Sequence, residues 1–222
     1  GNGANGALTV SSTVLTDAVK SAVSGGIGVI GSNSITVASS TGMAIGDEVI
    51  IITMQDATVG AGNLVGQYEF RNITGISGNT LTFSQTLTKA FVASATVKHQ
   101  VVEVNQYTNI TVASGGSLTC SAWDGTVGGV LCFRASGTVN INAGGFISAS
   151  GKGYRGVAQK VALWRNADGG QGEGLYGTGI GSGANGAGPC TNSAPRNLAN
   201  GNGGGGGTGC GDSGGGGGGS YY

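Results

Sequence analysis

The sequence predicts an all-β protein: a small β-sandwich- or barrel-like start leads into a short parallel β-helix, and an ordered glycine-rich region follows. Three observations predict this class. Short runs of β-branched residues alternate with Gly/Asn turns, one segment repeats itself, and many of the 49 glycines lie close to the end of the chain. We divide the chain into an N-terminal segment (1–27), a β-rich domain (28–168) and a glycine-rich region (169–222).

The N-terminal segment contains a pattern that favours a helix. In "VLTDAVKSAVS", Val14 to Ser24, apolar residues recur at helical spacing, with Thr16 and Asp17 near the start. Residues three to four positions apart share one face of a helix, and Thr or Asp is a common N-terminal cap. We therefore predict a short helix that caps one end of the β-structure.

The first part of the β-rich domain has strand patterns without a repeat. Runs such as "SITVAS", "DEVIIITMQ" and "NTLTFSQTL" alternate apolar and polar residues between turn residues. Such alternation is typical of half-buried strands. The segment from Ser32 to Thr96 is therefore predicted to form a small sandwich or barrel ahead of the β-helix.

An internal repeat predicts the β-helix itself. "ITVASGGSLTCSA" from Ile110 superposes on "VNINAGGFISASG" from Val139, 29 positions later, within residues 110–151. Self-similarity at a period of about 20 to 50 residues is typical of stacked coils. We expect the coils to stack between residues 100 and 155; a sandwich whose hairpins look alike is the alternative. The residues predicted to face inward are Val112, Leu118, Ile141 and Ile147.

Four cysteines form two closely spaced pairs, and none belongs to a Cys-x-x-Cys motif. Cys120 and Cys132 flank "SAWDGTVGGVL", and Cys190 and Cys210 flank a Gly/Asn/Ser-rich segment. We predict disulfides 120–132 and 190–210, as in exported proteins, with burial as free thiols the alternative. These spacings and the single His99 argue against a zinc site or thiol redox chemistry.

The glycine-rich region contains two sequence patterns. Glycine occupies every second position over much of 170–188, and it forms unbroken runs at Gly203–Gly207 and Gly214–Gly219. Such runs favour an extended or polyglycine II conformation, whose backbone groups need partners outside the helix. Identical chains would supply those partners, so we predict assembly here; a flexible linker is the alternative. The predicted assembly residues are Gly203, Gly205, Gly207, Gly214, Gly217, Gly219, Tyr221 and Tyr222.

A series of segments resembles a known group of proteins. "STGMAIGDEVIIITMQ", "GQYEFRNITGISGNTLTFSQTL", "DGTVGGVLCFRASGTVNI" and "ISASGKGYRG" are similar, in order, to the N-terminal region of large glycine-rich secreted or cell-surface bacterial proteins, many described as adhesins. The resemblance covers residues 28–220, and "YRGVAQKVALW" departs from it. It implies an extracellular or cell-surface role and no particular enzyme activity.

Composition excludes several partners. Lys plus Arg and Asp plus Glu number 10 each, so there is no basic footprint for nucleic acid or an anionic membrane. The longest apolar run, Val49 to Ile52, is far too short to cross a bilayer. No motif indicates a metal or another cofactor.

Candidate chemistry is sparse. A glycan-cleaving groove needs paired carboxylates, and the candidates here are explained as turn or strand residues, so we predict no enzyme activity. These carboxylates are Asp47, Glu48, Asp56, Glu69, Glu103, Asp124, Asp168 and Glu173. Flat rings stack on sugars, which makes Trp123, Tyr154 and Trp164 candidate glycan contacts, with core filling the alternative. Asn72 and Asn109 begin glycosylation sequons.

These observations predict a structural, adhesive subunit of an extracellular filament or surface layer that assembles with copies of itself. Two alternatives remain. One is a carbohydrate-binding or carbohydrate-cleaving β-helix protein. The other is an ice-binding protein, suggested by polyglycine and by Thr-x-Thr pieces such as Thr80 and Thr82.

Overall fold

The computed structural model describes residues 1–26, 28–58, 62–155 and 173–174, and the backbone of 177–178. Contacts divide the chain into two units, each described by itself. The first comprises Gly1–Thr53 and Gly66–Gly153, and the second comprises Met54–Val65 and Tyr154–Tyr222.

Every regular element in the described ranges is a strand, which confirms the all-β class. In chain order the strands are β1 Leu8–Val10, β2 Thr13–Leu15, β3 Lys20–Ala22, β4 Ser34–Thr36, β5 Glu48–Asp56, β6 Tyr68–Ser77, β7 Thr80–Phe83, β8 Val97–Glu103, β9 Asn105–Tyr107, β10 Ile110–Val112, β11 Ser117–Thr119, β12 Phe133–Ala135, β13 Val139–Ile141, β14 Phe146–Ile147, β15 Glu173–Gly174 and β16 Gly177–Thr178.

Parallel strands stack as the rungs of a short β-helix. The first rung contains β1 and β2, the second β9, β10 and β11, and the third β12, β13 and β14. Ile110 pairs with Val139, and Leu118 pairs with Ile147. These pairs have the offset of the sequence repeat, so the predicted stacking of residues 110 to 147 is confirmed.

The two adjacent glycines of each repeat make the corner between strands. Gly115 and Gly144 have φ of +79° and +82°, a left-handed conformation that glycine adopts without a Cβ clash. The glycines that follow them, Gly116 and Gly145, lie against carbonyl oxygens. A Cβ on Gly116 would overlap the carbonyl of Val10 in the neighbouring rung. The motif therefore supplies one turn residue and one close backbone approach.

Apolar side chains fill the inside of the β-helix. Val10, Ile110, Val112 and Leu118 are buried together, and Ile147 packs against them. Ile141, also predicted to face inward, pairs with Val112 but is 49% exposed. The strand pairings of the described residues place β13 at an edge of its sheet, so the predicted burial of Ile141 is wrong although its register is right.

Along the chain, an antiparallel sheet is inserted after the first rung and before the second, although the two rungs pair directly with each other. Its strand order is β3-β8-β5-β6-β7-β4, and the sheet curls so that its end strands meet. Val23 bridges Val37, and the Ala38 amide donates to the Ala22 carbonyl at 2.8 Å. The inside holds a separate apolar cluster that includes Ile51 and Phe91. A barrel-like sheet agrees with the prediction for residues 32–96, but β1 and β2 of the β-helix come before it in the chain, so the predicted order of the two parts is wrong.

The predicted capping helix from Val14 to Ser24 is wrong. Its first residues belong to β2, where Val14 pairs with Leu118, and its later ones to β3. Between them the buried carboxylate of Asp17 accepts hydrogen bonds from the Ser121 amide at 2.7 Å and hydroxyl at 2.6 Å. Pairing with distant strands overrides the helical spacing, which β-branched residues support only weakly.

In the second unit, polar contacts hold the described residues. Asp56 accepts hydrogen bonds from the amides of Thr58 at 2.8 Å and Leu64 at 2.9 Å. Arg155 forms a two-point ion pair with the buried Glu173, with nitrogen-to-oxygen distances of 2.8 and 2.6 Å. These contacts order the loop after β5 and the start of β15.

Candidate functional site

Two aromatic rings lie side by side on the outer face of the inserted sheet. Tyr68 and Phe70 alternate along β6 with the buried Glu69, so their side chains leave the same face. Their ring centroids are 5.7 Å apart in an edge-to-face arrangement, and Tyr68 is 49% exposed. We call these two rings, with Glu48, Lys89 and Arg134, the Tyr68 platform.

An ion pair stands at the Phe70 side of the platform. The Arg134 guanidinium lies over the Phe70 ring, 4.6 Å from its centroid. Its Nε and Nη2 donate to the two carboxylate oxygens of Glu48 at 2.6 and 2.8 Å. The Glu48 carboxylate also accepts a hydrogen bond from Gln106 Nε2 at 2.5 Å.

The β-helix register positions these groups. β9 and β12 pair in parallel with Gln106 beside Arg134, so both side chains reach Glu48 from adjacent rungs. Glu48 itself opens β5, opposite Asn72 of β6. The site therefore forms where β5 and β6 of the inserted sheet meet β9 and β12 of the β-helix.

The ion pair keeps Glu48 charged. Burial by itself would raise the pKa of Glu48, but the hydrogen bonds and positive charge of Arg134, with the hydrogen bond from Gln106, lower that pKa below its usual value. Glu48 in turn raises the pKa of Arg134 through the same hydrogen bonds. Both groups are thus ionised at neutral pH.

Lys89 lies at the Tyr68 side of the platform. Its Nζ donates to the Tyr68 carbonyl at 2.9 Å and is 5.8 Å from the centroid of the Tyr68 ring. The ammonium thus lies over the ring at a distance close to the outer limit of a cation–π contact, about 6 Å.

The platform combines features that suit a polar ligand with a flat apolar face. The exposed Tyr68 ring offers stacking area. A guanidinium has five N–H donors, of which Arg134 uses two on Glu48; the other three have no hydrogen-bond partner among the described residues. Asn72 is exposed on the same strand face. The ion pair holds Arg134 in place, which lowers the entropy cost of binding.

The aromatic residues predicted to contact glycans do not form this platform. Trp123 is 2% exposed, so its ring fills the core, as the alternative interpretation had it. Tyr154 is half-buried, and its hydroxyl donates to the Met54 carbonyl in the second unit. Trp164 lies outside the described residues.

Except for Glu103, the candidate carboxylates in the described ranges make structural contacts. Asp47 accepts a hydrogen bond from the Ala44 amide at 2.6 Å, and Asp124 accepts from the Thr126 amide at 2.7 Å, as turn residues do. Glu69 is buried against Arg71 and accepts from Thr88, while Asp56 and Glu173 hold the second unit. Burial and the Asp47 charge raise the pKa of Glu103. Asp168 lies outside the described residues.

The cysteines that the structure describes are free thiols. Cys120 is buried after β11, and Cys132 is half-buried before β12. The predicted 120–132 disulfide is therefore not formed in this structure. Burial raises the pKa of both thiols, and the neighbouring Arg134 only partly offsets this at Cys132. The pair Cys190 and Cys210 lies outside the described residues.

Other predicted sites are placed as follows. Asn72 is exposed on β6, and Asn109 is exposed but accepts a hydrogen bond from the Thr138 amide at 2.8 Å. Thr80 and Thr82 are half-buried in β7. The predicted assembly glycines, Gly203 to Gly219, and the two terminal tyrosines lie outside the described residues.

Sequence reasoning missed the Tyr68 platform. The pattern that could have indicated it is "YEF" at 68–70, because two aromatic residues at alternate strand positions share a face. Arg134 had no such signal, since its link to Glu48 depends on the placement of the insertion.

In class, then, the first unit is a short parallel β-helix that carries an inserted barrel-like sheet. Among the described residues there is no helix with the length and apolar character needed to span a bilayer. That part of the chain also lacks any group of three or more His, Cys, Asp or Glu side chains placed to hold a metal ion.

Comparison with known proteins gives only distant likenesses. No family model matches the sequence, and no curated protein matches it. Among solved structures the chain is similar to the tailspike gp61 of Pseudomonas phage phi297, with 14% identity, a TM-score of 0.31, and coverage of 51% of this chain and 23% of that one.

Two further tailspikes give similar values. The Gp54 tailspike of Acinetobacter baumannii bacteriophage AP22, in complex with A. baumannii capsular saccharide, has 14% identity and a TM-score of 0.33, covering 65% of this chain and 29% of that one. The tailspike protein gp49 from Pseudomonas phage LKA1 has 22% identity and a TM-score of 0.28, covering 64% of this chain and 25% of that one. The chain spans about a quarter of the length of these tailspikes. At TM-scores this low the likeness carries no argument about function.

Proposed function

We propose that this chain is a carbohydrate-binding protein of the β-helix class that acts outside the cell, with the sugar held on the Tyr68 platform. The single observation that carries the proposal is the exposed Tyr68 ring beside a fixed Glu48–Arg134 pair. Sugars offer an apolar ring face and a rim of hydroxyls. The platform offers a stacking surface and charged hydrogen-bonding groups that match both.

The proposal is for binding without cleavage. Of the candidate carboxylates in the described ranges, all but Glu103 hold turns, loops or ion pairs, as Asp47, Glu69 and Asp124 illustrate. A reducing-sugar assay on any glycan that binds is the direct test. Release of new reducing ends that Glu103→Gln abolishes would replace binding with cleavage as the function.

A glycan array followed by calorimetric titration tests the binding. We expect Tyr68→Ala to weaken the best ligand by about twofold to tenfold, because stacking on one aromatic ring contributes roughly 0.5–1.5 kcal/mol beyond buried area. Arg134→Ala should weaken it as well. Phe146→Ala is the matched control, because Phe146 is an exposed aromatic on β14, outside the platform.

The result is decisive in either direction. Equal affinities for Tyr68→Ala and Phe146→Ala would contradict the proposed site. An array on which the intact chain binds no glycan would contradict the function.

Self-assembly is a second candidate, favoured by a different observation. Along the edge of the third rung, Val139, Ile141 and Phe146 are exposed at 41%, 49% and 62%. Unpaired strand edges with apolar side chains are common sites of association. This supports a subunit that assembles with copies of itself, as the sequence predicted, but through the β-helix edge as well as through the glycine-rich region.

Analytical ultracentrifugation tests self-assembly independently of glycans. We expect the intact chain to associate as its concentration rises and a Val139→Lys/Ile141→Lys double variant to associate less. Gly205→Val and Gly217→Val test the contribution of the glycine-rich region. A monomer at every concentration would contradict this second candidate and leave the binding proposal untouched.

A further inference from the structure

The charges around the Tyr68 platform do not cancel. Arg134 is neutralised by Glu48, and the half-buried Arg71, which alternates with Phe70 along β6, is neutralised by Glu69. Lys89, by contrast, is exposed and forms no ion pair with any described residue. Among the described residues, the platform therefore carries one uncompensated positive charge next to its exposed ring.

The Lys89 ammonium is also held in position. One of its three N–H groups donates to the Tyr68 carbonyl, and the other two have no partner in the described ranges. Because Nζ lies over the Tyr68 ring at 5.8 Å from its centroid, a group stacked on Tyr68 has the ammonium next to it. A carboxylate on that group would gain a charge-assisted hydrogen bond.

We infer that the Tyr68 platform recognises an acidic saccharide, with the sugar ring stacked on Tyr68 and its carboxylate bound by Lys89. The inference rests on the proposed carbohydrate binding and adds the class of sugar and the residue that selects it. Neutral sugars would use the ring and Arg134 alone and therefore bind more weakly.

The test compares each acidic oligosaccharide with its own carboxyl-reduced form. The probes are uronic-acid and sialic-acid oligosaccharides, intact and carboxyl-reduced, titrated into the full chain. We expect the acidic form to bind about threefold to fivefold more tightly, the range that an exposed ion pair supplies. That ratio should shrink towards one between about 0.05 M and about 0.5 M salt, because salt screens exposed charges.

Two variants assign the preference to its residue. Lys89→Met keeps the apolar stem and removes the charge, so it should bind both forms of the sugar equally. Lys152→Met removes a charge from the turn after β14 and should keep the preference. Melting curves of both variants check that the fold is intact.

The outcomes separate this inference from the function on which it rests. If acidic and reduced forms bind the intact chain equally, and Tyr68→Ala weakens both, carbohydrate binding stands and the acidic specificity is wrong. A preference that survives in Lys89→Met would also overturn the inference, because another cation would then be responsible. Failure of every probe to bind would count against both.

Discussion

The β-helix and the inserted sheet bury similar apolar side chains by opposite means. In the β-helix, the residues of β10 and β11 stack on counterparts 29 positions later in the third rung, as Ile110 does on Val139, so one local pattern specifies the stacking of these two rungs. In the inserted sheet, order is antiparallel and partners come from unrelated segments, as Ile51 pairs with Glu69. The stacking of repeated rungs can therefore be recognised in the sequence. The strand pairing of the barrel-like sheet cannot, because no repeat marks which residues face each other.

The largest expected effect is a difference in stability between substitutions in an inner rung and in an edge rung of the β-helix. Val112 is 0% exposed and Ile141, its partner, is 49% exposed. Val112→Asp buries an unpaired charge and should cost about 4 kcal/mol or prevent folding. Ile141→Asp should cost less than about 1 kcal/mol. Urea unfolding measures both.

Protein concentration sharpens that comparison. If Ile141→Asp is as costly as Val112→Asp only at high concentration, the third rung is covered by another copy. If the costs are equal at every concentration, the edge position of β13 is wrong.

The next effect concerns the core of the inserted sheet. Phe91 is fully buried in its apolar cluster, and the neighbouring Val92 is 39% exposed. Phe91→Ala should cost about 3–5 kcal/mol because it leaves a cavity, while Val92→Ala should cost well under half of that. Hydrogen exchange then asks whether the β-helix amides lose protection together with those of the sheet. We expect that the β-helix amides do lose protection, because the inserted sheet is the stretch of chain that connects the first rung to the second.

A smaller effect tests the paired glycines at the corner. Gly116→Ala places a Cβ against the Val10 carbonyl and should cost about 1–3 kcal/mol by overpacking. Gly26→Ala is the matched control, because a Cβ there meets nothing within 4 Å and its backbone is not left-handed. Differential melting measures the two variants. Equal melting would show that the rungs can move apart to admit a methyl group.

The smallest expected effect is a difference in pH dependence between two glutamates. The pKa of Glu48 lies below 4.5, so its stabilisation is present above about pH 4.5 and is lost as pH falls through the folded value. Glu48→Gln should therefore lower the melting temperature at neutral pH and converge with the intact chain in acid.

Glu103 should show the opposite sign. Burial and the charge of Asp47 raise its pKa above 4.5, so the stabilisation is present below that pH and is lost as pH rises through the folded value. Glu103→Gln should match the intact chain near pH 4 and melt higher at neutral pH. Parallel melting curves at all pH values would contradict both assignments.

The sequence by itself determined the features that depend on neighbouring residues. The all-β class follows from β-branched alternation, and the 29-residue coil follows from the repeat that places Val112 with Ile141. The adjacent glycines at 115–116 and 144–145 mark its corners, because a left-handed turn and a close backbone approach are local requirements.

Only the tertiary structure decided the rest. The segment from Val14 to Ser24 has helical spacing, yet pairing with distant strands makes it β2 and β3. Ile141 has the register of an inward-facing residue, but its strand β13 lies at an edge of the sheet, so the side chain is exposed. The repeat gives the register and does not show which rung is at the edge. Trp123 is buried and Tyr68 is exposed because packing, and not residue type, sets exposure. The platform needs Glu48 and Arg134 in contact, and residues so far apart in the chain meet only through the register of two sheets.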